Sequence, residues 1–155
     1  MSNTVADRLT SIGISLPTPA PAAGNYSPYI VTGNLVFISG QVPLGKAGLE
    51  YQGKVGTTFS VDEGKAAARL CAINIISQLS TAVDGDLERV VRCVKLGGFV
   101  NSEPSFGDHP AVINGASDLM VEVFGDKGTH ARFAVGASSL PFDVAVEVDA
   151  VFEIS

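Results

Sequence analysis

An arginine and a glutamate stand out in a largely apolar segment near the end of the chain. In HARFAVGASSLPFDVAVEVDAVFEI, from His130 to Ile154, Arg132 and Glu147 stand fifteen positions apart among Val, Ala and Phe. A guanidinium presents a planar fork that can hold a carboxylate by two parallel hydrogen bonds. A placed carboxylate can orient water or carry a proton. Together they suit chemistry on a small molecule that bears a carboxylate. The same two residues equally suit a structural salt bridge across an interface, because opposite charges pair well in sheets.

Other constellations offer less. The histidines are His109, beside a proline in a segment that reads as loop, and His130, just before a strand. Either could act as a general base, but surface or capping roles fit a lone histidine better. Cys71 and Cys93 have no metal-ligand spacing with them and read as free, buried thiols in a helix and a strand. The string Gly115-Ala116-Ser117-Asp118 lacks the second glycine of a nucleophile elbow and falls within a helical pattern. The glycines of GQVPLGKAGLEYQGKVG have the wrong spacing for a phosphate-binding loop, and no GK[ST] occurs. Neither a metal nor a dinucleotide is implied.

The elements that must position Arg132 and Glu147 can be read from periodicity. Val5, Leu9 and Ile12 mark a short helix over about residues 4–12, with Asn3 as cap and Gly13 as stop. Four prolines between Leu16 and Pro28 make a stiff connector, anchored at its end by Tyr26 and Tyr29. LVFIS follows as a strand, then a glycine-rich loop or ragged hairpin. Ser60-Val61-Asp62-Glu63 is a capping box opening a helix that runs to about Ala82. Val90 to Val100 is a long strand, and Ala111 to Phe124 a second long helix. Ala131–Ala137 and Val144–Ile154 close the chain as strands. The pattern predicts an α+β layer fold with two main helices on one face of a mixed or antiparallel sheet.

Alternation then sorts the last two strands. Ala131, Phe133 and Val135 share a side with the apolar set Val146, Val148, Ala150, Phe152 and Ile154. If the two strands are antiparallel neighbours, Arg132 and Glu147 lie together on the opposite face. That face carries Ala134, Gly136, Ala145 and Val151 rather than the usual Lys, Thr and Gln, which suggests cover from another subunit.

Composition sets the outer limits. The 155 residues fit one domain, 46% are apolar and only 17% charged, again consistent with surface hidden in an oligomer. Net charge is −6 with no cluster of Lys or Arg, which disfavours nucleic acid. No signal peptide or membrane-length apolar run is apparent, and two unpaired cysteines fit a reducing cytoplasm.

Several motifs together resemble one family. They are Tyr26, NLVFISGQVP with Ser39-Gly40-Gln41, VVRCVKLGGFV, and Arg132 followed by Leu140-Pro141 and Val146-Glu147-Val148. Over about Leu16 to the end the chain resembles the RidA/YjgF family, in its longer chorismate-mutase-like branch labelled as endoribonuclease. The resemblance implies a chorismate-mutase-like fold whose sheets join in a trimeric barrel, with pockets between subunits. It implies no cofactor and a hydrolytic deamination of enamines or imines such as 2-aminoacrylate, giving 2-keto acids and ammonia. Arg132 would bind the substrate carboxylate and Glu147 would place the water or relay a proton. Tyr26, Ser39, Gly40 and Asn114 would line the pocket, with Ala134 where many members have cysteine. Carboxylate binding without turnover, RNA cleavage and chorismate mutase activity are the alternatives the family leaves open.

Overall fold

The computed structural model describes residues 3–155. Among the described residues three α-helices and seven strands succeed one another: α1 (Val5–Ser11), β1 (Tyr29–Thr32), β2 (Leu35–Gln41), β3 (Leu44–Gly45), β4 (Gly48–Leu49), α2 (Val61–Ala82), β5 (Val90–Asn101), α3 (His109–Phe124), β6 (Ala131–Ala137) and β7 (Val146–Ile154). The main sheet has the order β1-β2-β7-β5-β6, and β3-β4 is a separate hairpin. The β5–β6 pairing is parallel and the other pairings in the main sheet are antiparallel. The fold is α+β, with α2 and α3 as its main helices.

Local signals explain the elements. The capping box of α2 forms: the Glu63 amide donates to Ser60 Oγ at 3.1 Å, and the Ser60 amide donates to Glu63 Oε1 at 3.1 Å. Thr4 caps α1, with Asp7 completing a second capping box; Asn3 instead accepts from Arg8 Nε at 3.2 Å. His109 is the first residue of α3 rather than a loop residue, because Pro110 is tolerated in a first helical turn. Strand β1 was not assigned from the sequence, although Tyr29-Ile30-Val31-Thr32 before the Gly33-Asn34 turn has strand composition; it is a four-residue strand with little burial at the sheet edge.

The core lies between sheet and helices. Val36, Leu96, Val148 and Phe152 from the sheet meet Ile75, Leu79, Ile113 and Met120 from the helices, all fully buried. Each contributes about 1.5–3 kcal/mol by leaving water. Helices α2 and α3 approach closely enough that a Cβ on Gly115 would lie 2.8 Å from the Lys65 carbonyl carbon. The proline connector is tied to α2 from below: Ser77 Oγ donates to Pro17 O at 2.6 Å and Gln78 Nε2 donates to Ala20 O at 2.9 Å.

The strand order corrects the assignment of faces. β6 and β7 are not neighbours; β5 lies between them, and Arg132 stands in register with Leu96 and Ala150, whereas Glu147 stands with Phe99 and Val135. Residues in register share a face. Arg132, Ala134 and Gly136 therefore face the helices, and Phe133 and Val135 face away. The inversion has a steric cause. Gly98 and Gly136 leave room for Ile113 and His109 of α3, while Phe133 lies over Gly97 and meets Phe99 edge-on on the open side.

Candidate functional site

Two polar clusters hold the candidate residues, on opposite faces of the sheet. The first is built where α3 crosses β6. Arg132 Nη1 donates to Asn114 Oδ1 at 2.7 Å and to Ser117 Oγ at 3.2 Å. Asn114 and Ser117 are three apart on α3 and so lie on one stripe of it. Arginine only donates, so Asn114 must offer its oxygen here, leaving its amide hydrogens free. Both hydrogens of Nη1 are thus engaged. The Nε and Nη2 hydrogens make no hydrogen bond among the described residues, and they form the edge that a carboxylate grips with two bonds.

His130 extends this cluster. Its Nδ1 lies 2.6 Å from Gly128 O and its Nε2 lies 2.9 Å from Ser117 Oγ. A carbonyl can only accept, so Nδ1 carries the hydrogen. In the neutral ring Nε2 then accepts from the Ser117 hydroxyl, whose oxygen receives Arg132. Ala134 lies two residues beyond Arg132 on the same face and packs against the core.

The second cluster lines a cleft of about 290 Å³ at the end of the sheet, bounded by Tyr26, Pro28, Gly40, Gln41, Phe142 and Glu147. The β2–β7 ladder slips between Ile38 and Gln41. Gly40 sits in that irregularity, and a Cβ there would collide with the Glu147 carboxylate. A side chain there would push the carboxylate aside, so the glycine sets where Glu147 lies. Among the described residues the Glu147 carboxylate accepts no hydrogen bond and joins no ion pair. Burial raises its pKa, and the nearby charge of Asp149 raises it further.

Ser39 does not line the cleft. Its hydroxyl donates to Ser27 O at 2.7 Å and its amide to Pro28 O at 2.9 Å, fixing the segment that carries Tyr26. Tyr26 is 54% exposed at the mouth. Phe142, also at the mouth, holds φ of 59°, a conformation that phenylalanine rarely adopts. Gln52 Nε2 donates to its carbonyl at 2.8 Å and steadies the turn.

Sequence reasoning missed Ser117, His130 and Phe142 as members of these clusters. Ser117 could have been found from its place one turn beyond Asn114. The Phe142 backbone leaves no mark in the pattern. Both cysteines are free and buried, as the sequence suggested, and burial raises both thiols, Cys93 to about 12. Among the described residues no group of three or more His, Cys, Asp or Glu is placed to hold a metal ion, and no helix is long and apolar enough to cross a membrane.

Known proteins resemble this chain along nearly its whole length. The family model described as "YjgF/chorismate mutase-like, putative endoribonuclease" matches residues 6–153. Protein TCP17 of Trypanosoma cruzi is 49% identical over 99% of this chain and 96% of its own length. The crystal structure of Atu1372 from Agrobacterium tumefaciens is 44% identical, with a TM-score of 0.91 over 97% of this chain and 92% of that one. The crystal structure of a "putative endoribonuclease" from Shewanella oneidensis MR-1 is 39% identical, with a TM-score of 0.95 over 98% of this chain and 100% of that one. With its sheet order, its helix-covered face and these matches, the chain belongs to the YjgF/chorismate mutase-like family.

Proposed function

We propose that the protein hydrolyses reactive enamines and imines of the 2-aminoacrylate type to 2-keto acids and ammonia, in a cleft shared by two copies of the chain within a trimer. The observation that carries this reading is the free Nε–Nη2 edge of Arg132, with both Nη1 hydrogens held by Asn114 and Ser117. An edge so fixed is ready for a carboxylate.

The chemistry needs little else. An imine carbon is already electrophilic. Water adds to the carbon, the resulting carbinolamine collapses, and ammonia leaves. Glu147 suits the placing of that water and the movement of its proton, because a raised pKa brings a carboxyl nearer to the working pH. Arg132 and Glu147 lie on opposite faces of one sheet, so a second copy is the natural source of the missing half. The exposed apolar side chains Phe37, Phe99 and Val135 on the face away from the helices suit such an assembly. Buried free thiols suit a reducing cytoplasm.

RNA cleavage finds less support, since a net charge of −6 gives no cationic excess to displace counterions from phosphate. The test couples the protein to a serine dehydratase acting on serine and follows pyruvate. The wild type should speed pyruvate release beyond solvent hydrolysis, and Arg132→Ala should remove the gain. Binding of 2-ketobutyrate without any such gain would instead mark a carboxylate-binding module.

A further inference from the structure

The hydrogen-bond chain behind Arg132 has a direction. With the imidazole neutral, Gly128 O accepts from His130 Nδ1, His130 Nε2 accepts from the Ser117 hydroxyl, and Ser117 Oγ accepts from Arg132 Nη1. Each link fixes the next, because the first acceptor is a backbone carbonyl and the last donor is a cation with no acceptor of its own. A hydroxyl that donates to an imidazole becomes a better acceptor, so the bond to Arg132 is strengthened.

Without this chain the guanidinium would keep Asn114 alone as partner on Nη1. It could then turn about that single bond, and its Nε–Nη2 edge would lose its heading. The two side chains that prevent the turn come from separate elements, α3 and the residue just before β6.

We propose that Ser117 and His130 are positioning residues for carboxylate capture: the imidazole orders the Ser117 hydroxyl, and the hydroxyl aims the Arg132 fork. The inference rests on the reading of Arg132 as the carboxylate-binding residue. Neither side chain touches the substrate in this account. Their loss should raise KM and Kd and leave kcat nearly unchanged.

The test is titration calorimetry with 2-ketobutyrate on the intact protein, beside the coupled pyruvate assay. Ser117→Ala should weaken binding about tenfold, the scale of one lost hydrogen bond to a charged group. His130→Ala should weaken it about threefold, since the hydroxyl stays but loses its orienting partner. Ser117→Thr, which keeps the hydroxyl, should restore affinity to within about twofold. The double variant Ser117→Ala/His130→Ala should bind no more weakly than Ser117→Ala alone, because both act through one chain. Unchanged affinity in Ser117→Ala, with none left in Arg132→Ala, would overturn the positioning role and leave the carboxylate site standing. Full affinity in Arg132→Ala would instead remove the carboxylate site itself. If Ser117→Ala does not fold, His130→Ala decides, and wild-type affinity there overturns the inference.

Discussion

Glu147 and Asp149 sit two apart on the face of β7 away from the helices, and burial is the main cause that raises the pKa of each. For Asp149, backbone amides and Lys95 pull part of the way back. A carboxyl whose folded-state pKa lies above its unfolded value holds its proton more tightly in the fold. The stability this contributes is fully present below the unfolded pKa and is lost as pH rises through the folded one. Urea unfolding of Glu147→Gln against wild type should therefore show a difference that grows in the variant's favour as pH rises from about 4, the ordinary glutamate value. A difference of the opposite slope would mean that the fold stabilises the Glu147 anion. Arg132, Glu147 and Asn114 were legible in the sequence because two interrupt an apolar strand pattern and the third falls at a family position. Ser117 stood one turn beyond Asn114 and could have been read from that spacing, but the role of His130 depends on where α3 crosses β6, which no local pattern encodes.

The elements that carry the first cluster are held by one close contact. Asn114 and Ser117 flank Gly115, whose Cα faces the backbone of Lys65 in α2; an added Cβ would stand 2.8 Å from the Lys65 carbonyl carbon and 3.0 Å from its Cα. Backbone atoms cannot turn aside as a long side chain can. Gly115→Ala should force the helices apart and cost about 1–3 kcal/mol, the range for overpacking. Thermal unfolding measures the loss, and the coupled assay should fall with it, because α3 carries both partners of Arg132. Stability within about 0.5 kcal/mol of wild type would show that the pair can relax. Helix α2 and strand β6 were read from the sequence with the ends the structure gives, because a capping box and a clean alternation mark them. The faces of β6 came out reversed. Alternation fixes which residues share a side, but which side meets the helices depends on the neighbours, and the parallel partner β5 sets that here.

At the scale of the whole molecule, the helix-free face of the sheet leaves Phe37, Phe99 and Val135 between 37% and 46% exposed around Glu147 and Asp149. The sequence pointed to such a face through its low charged fraction, but it could not show that Arg132 lies on the other side. That division makes the account's main claim testable by complementation. Co-expressed Arg132→Ala and Glu147→Gln chains, carrying different tags and purified as mixed assemblies, should be measured for pyruvate release from dehydratase-generated 2-aminoacrylate. Each variant alone should be inactive. Every mixed trimer has one cleft in three that receives an intact Arg132 from one chain and an intact Glu147 from the next, so about a third of the wild-type rate should return. A mixture as inactive as either parent, beside an active wild type, would contradict a cleft shared between two copies.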